Sequence, residues 1–319
     1  MSAPVRGAEQ SSPTRPGTTK PAEWLTAKER GGVLAIRFTV FVVTVLGRRI
    51  GRFLTLLVSA YYTLTSPTAR RGLRAFYVRL QRREPSFAQL YRHVLRFVRC
   101  TLDAFFLASG RTKGIRVTRT GNHWLEALRD EKRGAILLGA HVGSFYAMRV
   151  GGAEERMPLY AVMYTANARM LNEALARLDP EGAARVLSLD PDGGVDSILK
   201  VRELLEQGAL VAILADRIPP NASADRVVRV PFLGADAAFP AGPFVLAAML
   251  ECPVFLTFGL ARDPDGYDLY CEPFAERIEL PRRDRRGALG RWMRKYAERL
   301  EHYVRKAPDN WFNFYDFWA

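Results

Sequence analysis

Cysteine, histidine and long unbroken apolar runs are all scarce in this chain. Its three cysteines, Cys100, Cys252 and Cys271, include no CxxC pair. An odd, dispersed set argues against a disulfide framework and against a thiolate metal site, and it suits a reducing, cytoplasmic setting. The four histidines, His93, His123, His141 and His302, stand without ligand spacing, so no metal is expected. Residues 31–64 are the most apolar stretch, but Arg37, Arg48, Arg49 and Arg52 interrupt it. Neither residues 38–47 nor residues 53–64 reach the roughly 20 apolar positions a spanning helix needs. Two kinked or antiparallel interfacial helices fit, with arginines reaching head-group phosphates. Helices packed on the domain as core fit the periodicity equally. Trp24, Tyr61 and Tyr62 are the amphipathic aromatics of a bilayer interface and favour membrane contact. Residues 1–21, rich in Pro, Ser, Thr and Gly, read as a tail and not as a signal peptide.

Negative charge is also in short supply. Lys and Arg number 47 against 33 Asp and Glu, a net charge of +14 and a sequence pI near 10.0. Such a surface suits an anionic membrane face, an acidic carrier protein or nucleic acid. No nucleic-acid-binding signature surrounds the basic residues, and they flank apolar segments, so no nucleic-acid partner is expected. A hydrophobic fraction of 48% with 25% charged residues describes a globular chain.

Periodicity supplies the organisation. Residues 69–107 are basic and helical, and His93 falls on their apolar face as a hydrogen-bonded core histidine. Strands are expected at 115–117, 135–140, 159–163, 185–189 and 210–215. Helices are expected at 122–129, after His141 to 150, at 166–178 and at 196–207. Continuous Val/Ile/Leu strands alternating with amphipathic helices mark a largely parallel sheet covered on both faces. Strands 254–259 and 267–271 flank Asp263-Pro264-Asp265-Gly266, a hairpin-type turn that suggests an antiparallel edge. The expected fold is α/β, a mixed, mostly parallel central sheet flanked by helices, with an N-terminal hydrophobic helical region. The expected divisions are a tail at 1–21, a membrane-associating helical region at 22–110 and an α/β domain at 111–319.

In open α/β sheets the ligand site lies beyond the carboxyl ends of the strands. Two strand ends here carry polar chemistry. Ala135-Ile136-Leu137-Leu138-Gly139-Ala140 delivers His141, whose pKa is close enough to neutral to take a proton from a hydroxyl. Ile213-Leu214-Ala215 delivers Asp216 and Arg217, which could be a mutual salt bridge fixing the loop or could hold a phosphate or thioester carbonyl. Phe232 and Gly234, in the loop Phe232-Leu233-Gly234, could line an acyl channel or simply pack. Asn167 and Arg169 open the helix after the second central strand, a position suited to an anionic head group.

His141 with its x4 spacing, the Ala215-Asp216-Arg217 strand end, the block FLGADAAFPAGPFVLA and the terminal Asn310-Trp311-Phe312-Asn313-Phe314-Tyr315-Asp316-Phe317-Trp318 together resemble bacterial lysophospholipid-type acyltransferases. The branch is the one related to the lipid A late acyltransferases, and the resemblance runs from about Trp24 to Trp318. It implies an enzyme at the cytoplasmic face of the bacterial inner membrane. Such an enzyme moves a fatty acyl group from acyl carrier protein or coenzyme A onto a hydroxyl or amine of a lipid, with membrane lipids and acyl carrier protein as partners and no bound cofactor. The family's mark is a His-x4-Asp/Glu dyad, histidine as base and acid as its orienter. His141 matches the base, but Tyr146 stands where the acid belongs. A phenol can accept the same hydrogen bond yet stays neutral near pH 7. Either the dyad is modified, with a carboxylate such as Asp216, Glu154 or Glu155 standing in, or the chain is a silent relative that binds lipid or carrier protein. The aromatic terminus reads as a hydrophobic cap with wetted polar edges.

Overall fold

The computed structural model describes residues 38–41, 45–153, 157–163, 169–188, 195–219 and 222–319. Residues 38–41 are helical, and after them come the helices α1 (Gly47–Thr65), α2 (Pro67–Gln81) and α3 (Phe87–Ala108). The remainder alternates: β1 (Arg116–Thr120), α4 (Asn122–Asp130), β2 (Ala135–Gly139), α5 (Phe145–Ala153), β3 (Leu159–Met163), α6 (Arg169–Leu178), α7 (Pro180–Ala184), β4 (Val186–Ser188), α8 (Val195–Glu206) and β5 (Leu210–Leu214). After these come β6 (Val227–Phe232), β7 (Ala235–Pro240), α9 (Gly242–Leu250), β8 (Val254–Arg262), β9 (Gly266–Ala275) and α10 (Arg285–Lys306).

Among the described residues, seven strands form one sheet in the order β1-β9-β8-β2-β5-β3-β4. All neighbours run parallel except β8 and β9, which the turn at residues 263–265 joins as an antiparallel pair. The fold is therefore the mixed α/β sheet its strand patterns foretold. β2 sits at the centre and all five of its residues are buried, as a strand covered on both faces must be. Ile136 and Leu138 enter a core shared with α2, α3 and α10, whereas Ala135 and Leu137 face Leu125 and Leu128 of α4.

One feature departs from the sequence reading. Residues 226–239 form a separate antiparallel hairpin, β6–β7. Its two-residue turn, Leu233-Gly234, has φ of 51° and 80°, the positive pair that a tight hairpin requires. A leucine in a place usually held by Asn or Gly hid that turn. The helices α2 and α3, before residue 110, pack directly on the sheet. Leu73, Phe76 and Tyr77 of α2 and Leu90 and Val94 of α3 belong to the same core cluster as the sheet.

α1 is inverted relative to an ordinary surface helix. Gly51, Thr55, Ser59 and Thr63 are its buried face. Its outward face carries Phe53, Leu57, Tyr61 and Leu64, which are 61%, 58%, 66% and 63% exposed. Ions tether it. Arg48 and Arg52 both reach the buried carboxylate of Asp103 on α3, at 3.1 and 3.0 Å, and both pair with Asp265 in the β8–β9 turn. The Tyr267 hydroxyl also donates to Asp103. Two cations shared by two carboxylates leave no buried charge uncompensated. No described helix is long and apolar enough to cross a membrane. Trp24 lies outside the described residues.

Candidate active site

β2 and β5 are adjacent and parallel, with Gly139 opposite Leu214. Continued two residues, that register carries His141 and Asp216 out side by side at the carboxyl edge of the sheet. The His141 Nδ1 lies 2.7 Å from Asp216 Oδ1. The His141 main-chain N–H also donates to the same carboxylate, 3.0 Å from Oδ2 and 3.1 Å from Oδ1. The Asp216 side chain is fully buried while that of His141 is 29% exposed. One member is thus sealed and the other reaches the surface.

Behind His141 the chain must turn sharply. Gly143 has φ of +70°, and a Cβ there would collide with the Gly259 carbonyl of β8, so only glycine fits. The Ser144 N–H donates to that carbonyl at 2.8 Å, and the Ser144 hydroxyl caps α5 by accepting from the Ala147 N–H.

Electrostatics fix the protonation state. Burial alone would raise Asp216, but the charge and hydrogen bonds of His141 and the charge of Arg217 hold it at about 2. Burial, then Arg217, push His141 below its ordinary value against the opposing pull of Asp216. At neutral pH the carboxylate is ionised and can only accept, so the imidazole proton sits on Nδ1 and Nε2 is left as the basic nitrogen. Chemically, such a pair can act as a general base held by an orienting carboxylate.

The carboxylate beside His141 is therefore that of Asp216, from the neighbouring strand, and residue 146 contributes none. Tyr146 points elsewhere. It packs beside Leu102, Phe105 and Phe106 of α3 and under the Arg149 guanidinium, 5.3 Å from its ring. No hydrogen bond joins it to His141, and burial raises its phenol further above neutrality. Residues 141–144 form a non-helical turn and Tyr146 lies in the first turn of α5, on the side of that helix that faces α3.

Other expected site residues fall out differently. Arg217 is close enough to bias His141, but its Nε donates to Asn313 Oδ1 at 3.0 Å and its Nη2 to the Phe312 carbonyl at 2.6 Å. It is not simply a salt-bridge partner of Asp216. The main-chain amides of Val142, Gly143 and Ser144 are spent on Ala140, Asn310 and Gly259 carbonyls, which withdraws them from an oxyanion-binding role. Phe232 is 1% exposed, enclosed by Trp311, Phe239, Phe317 and Trp318, so it is core and not the wall of an open channel. Gly234 is the hairpin's turn residue. Arg169 begins α6, whereas Asn167, Glu154 and Glu155 lie outside the described residues. His93 is fully buried between the Tyr77 hydroxyl and the Trp311 carbonyl, as a core histidine. Among the described residues no cluster of His, Cys, Asp and Glu could hold a metal.

An apolar cavity of about 70 Å³ lies along the same two strands, though neither His141 nor Asp216 lines it. Gly139 and Leu214, each two residues before a dyad member, line its wall, with Leu137, Ala212, Phe145 and Met148.

A histidine–aspartate pair at the carboxyl edge of an α/β sheet, with an apolar cavity along the same strands, can activate a hydroxyl or amine near an apolar substrate. Residues 29–319 match the family described as bacterial lipid A biosynthesis acyltransferase, and the chain belongs to that family. It is by class a lipid acyltransferase. No curated protein matches the chain.

Proposed function

We propose that this protein transfers a fatty acyl group from a thioester of acyl carrier protein or coenzyme A to a hydroxyl or amine of a lipid or glycolipid, at the cytoplasmic face of the inner membrane. The observation that carries the proposal is the 2.7 Å contact between His141 Nδ1 and buried Asp216. His141 Nε2 takes the acceptor proton as the acceptor oxygen or nitrogen attacks the thioester carbon. The tetrahedral intermediate collapses with cleavage of the C–S bond, and the imidazolium returns the proton to the departing thiolate. The products are the acylated lipid and the free thiol. Asp216 fixes the tautomer and stabilises the imidazolium, and Arg217 supplies positive potential beside the developing oxyanion.

The cavity under Gly139 and Leu214 suits the acyl chain, with the thioester left at the dyad. α1 suits the membrane surface: its outward Phe, Leu and Tyr side chains would enter the interface while Arg48 and Arg52 hold it to the domain. It meets the terminal segment through Tyr62, 6.1 Å from the Phe314 ring. The basic surplus would attract an acidic carrier protein.

The test is transfer from labelled acyl-acyl carrier protein and acyl-coenzyme A to total bacterial membrane lipid, comparing wild type, His141→Ala and Tyr146→Glu. Loss in His141→Ala alone is the expected outcome. Undiminished transfer in His141→Ala would remove the base from the proposal. Silence in wild type with a gain in Tyr146→Glu would mean that Asp216 does not replace the family acid.

A further inference from the structure

The chain ends in a segment that hydrogen-bonds to both sides of His141. Phe312 N–H donates to the His141 carbonyl and Gly143 N–H to the Asn310 carbonyl, each at 2.8 Å, with Val142 and Trp311 forming an isolated bridge. Asn310 is itself pinned, its Oδ1 accepting from the Ala261 N–H at 2.7 Å and its Nδ2 donating to the Ala261 carbonyl. Two side chains of the segment then reach the buried carboxylate. Trp311 Nε1 and Asn313 Nδ2 each donate to Asp216 Oδ2 at 3.3 Å. Trp311 and Asn313 are both 1% exposed, so neither bond competes with water. The far side is anchored as well, because His93 Nε2 lies 3.0 Å from the Trp311 carbonyl. Asn310 and Asn313, which the sequence would leave wetted, are thus buried, and the Trp311 and Asn313 donors converge on one oxygen.

We propose that residues 310–313 are a positioning element for the dyad, in which Trp311 and Asn313 fix the orientation of the Asp216 carboxylate and spread its charge. The inference rests on the reading of His141 as the base. His141 uses Oδ1, and the terminal segment occupies Oδ2, so the carboxylate cannot rotate about its Cβ–Cγ bond without breaking bonds on both sides. Without those donors the negative charge would fall more heavily on His141 and the pair would hold its proton more tightly.

The charged and titratable groups around the pair are Arg217, on the loop after β5, Tyr296 of α10 and Tyr315 of the terminus. Asn313 also accepts from Arg217, so Asn313→Ala loosens that guanidinium as well. Trp311→Phe keeps an aromatic ring and leaves the Arg217 contact alone, which makes it the cleaner variant. The experiment is an NMR titration of the histidine rings of the full chain, with His141 assigned by its absence in His141→Ala. It is run beside turnover of labelled acyl-acyl carrier protein with total membrane lipid and thermal melts. In Trp311→Phe the His141 midpoint should rise by roughly half a unit or more, with kcat down on the order of tenfold and KM little changed. Asn313→Ala should move the midpoint in the same direction. An unmoved midpoint in both folded variants overturns the positioning role. A shifted midpoint with no difference in transfer between wild type and His141→Ala leaves the positioning intact and removes the proposed reaction.

Discussion

Replacing Asp216 by Asn tests the dyad most directly. The substitution keeps shape and volume but turns one oxygen into an NH₂ donor, and the structure says which one. On the Oδ2 side the carboxylate meets the Trp311 and Asn313 donors and the shorter contact from the His141 main chain. Asn313 cannot flip to oblige, since its Oδ1 is held by Arg217. On the Oδ1 side the main partner is the His141 ring nitrogen, which can exchange donor for acceptor by changing tautomer. The amide therefore settles with its NH₂ towards the imidazole. The ring proton moves to Nε2, and the base is lost. Neutralising the orienting aspartate of a serine-protease triad has this consequence and costs about 10⁴ in turnover. A loss of roughly 10³ to 10⁴ in kcat is expected here, equal to about 4–5 kcal/mol of transition-state stabilisation. Tyr146→Phe, which removes a hydroxyl that does not touch His141, should stay within a few-fold of wild type. The assay is initial-rate transfer of labelled acyl groups to membrane lipid, with melting temperatures confirming that both variants fold. Near-normal turnover in Asp216→Asn together with a dead Tyr146→Phe would refute the argument.

Two further outcomes follow from buried groups. His93 is lowered from 6.5 to about 4, chiefly by burial, so below pH 6.5 the unfolded chain takes a proton that the folded chain refuses. Stability should drop as pH falls from 6.5 to 4, by up to ~3 kcal/mol. His93→Gln should flatten that slope in urea titrations, and an unchanged slope would mean another group dominates it. Ala212→Leu narrows the cavity beside Leu214 and should shift preference towards shorter acyl donors, by about fourfold per excluded methylene at ~0.8 kcal/mol each. Competition among acyl-acyl carrier proteins of graded length reads this directly, and an unchanged preference would place the acyl chain elsewhere.

Local sequence determined the elements and the chemistry-bearing strand ends. Strands such as 210–214 and helices such as 122–130 are written in contiguous apolar runs and in periodicity, because neighbouring residues decide which faces they bury. His141 and Asp216 were each visible as polar residues closing a buried strand. Their partnership was only one of several open possibilities, because Glu154 and Glu155 could have stood in equally well. His141 and Asp216 stand 75 positions apart, and a spacing pattern points instead to residue 146, only five along. Strand order alone decided it: β5 lies beside β2, and in-register parallel pairing brings equivalent strand ends together. For the same reason the terminal Asn-Trp-Phe-Asn run looked like an aromatic cap. What turns two of its side chains into hydrogen-bond donors to Asp216 is a pairing with the His141 loop more than 160 residues away in sequence, at a distance no local pattern encodes.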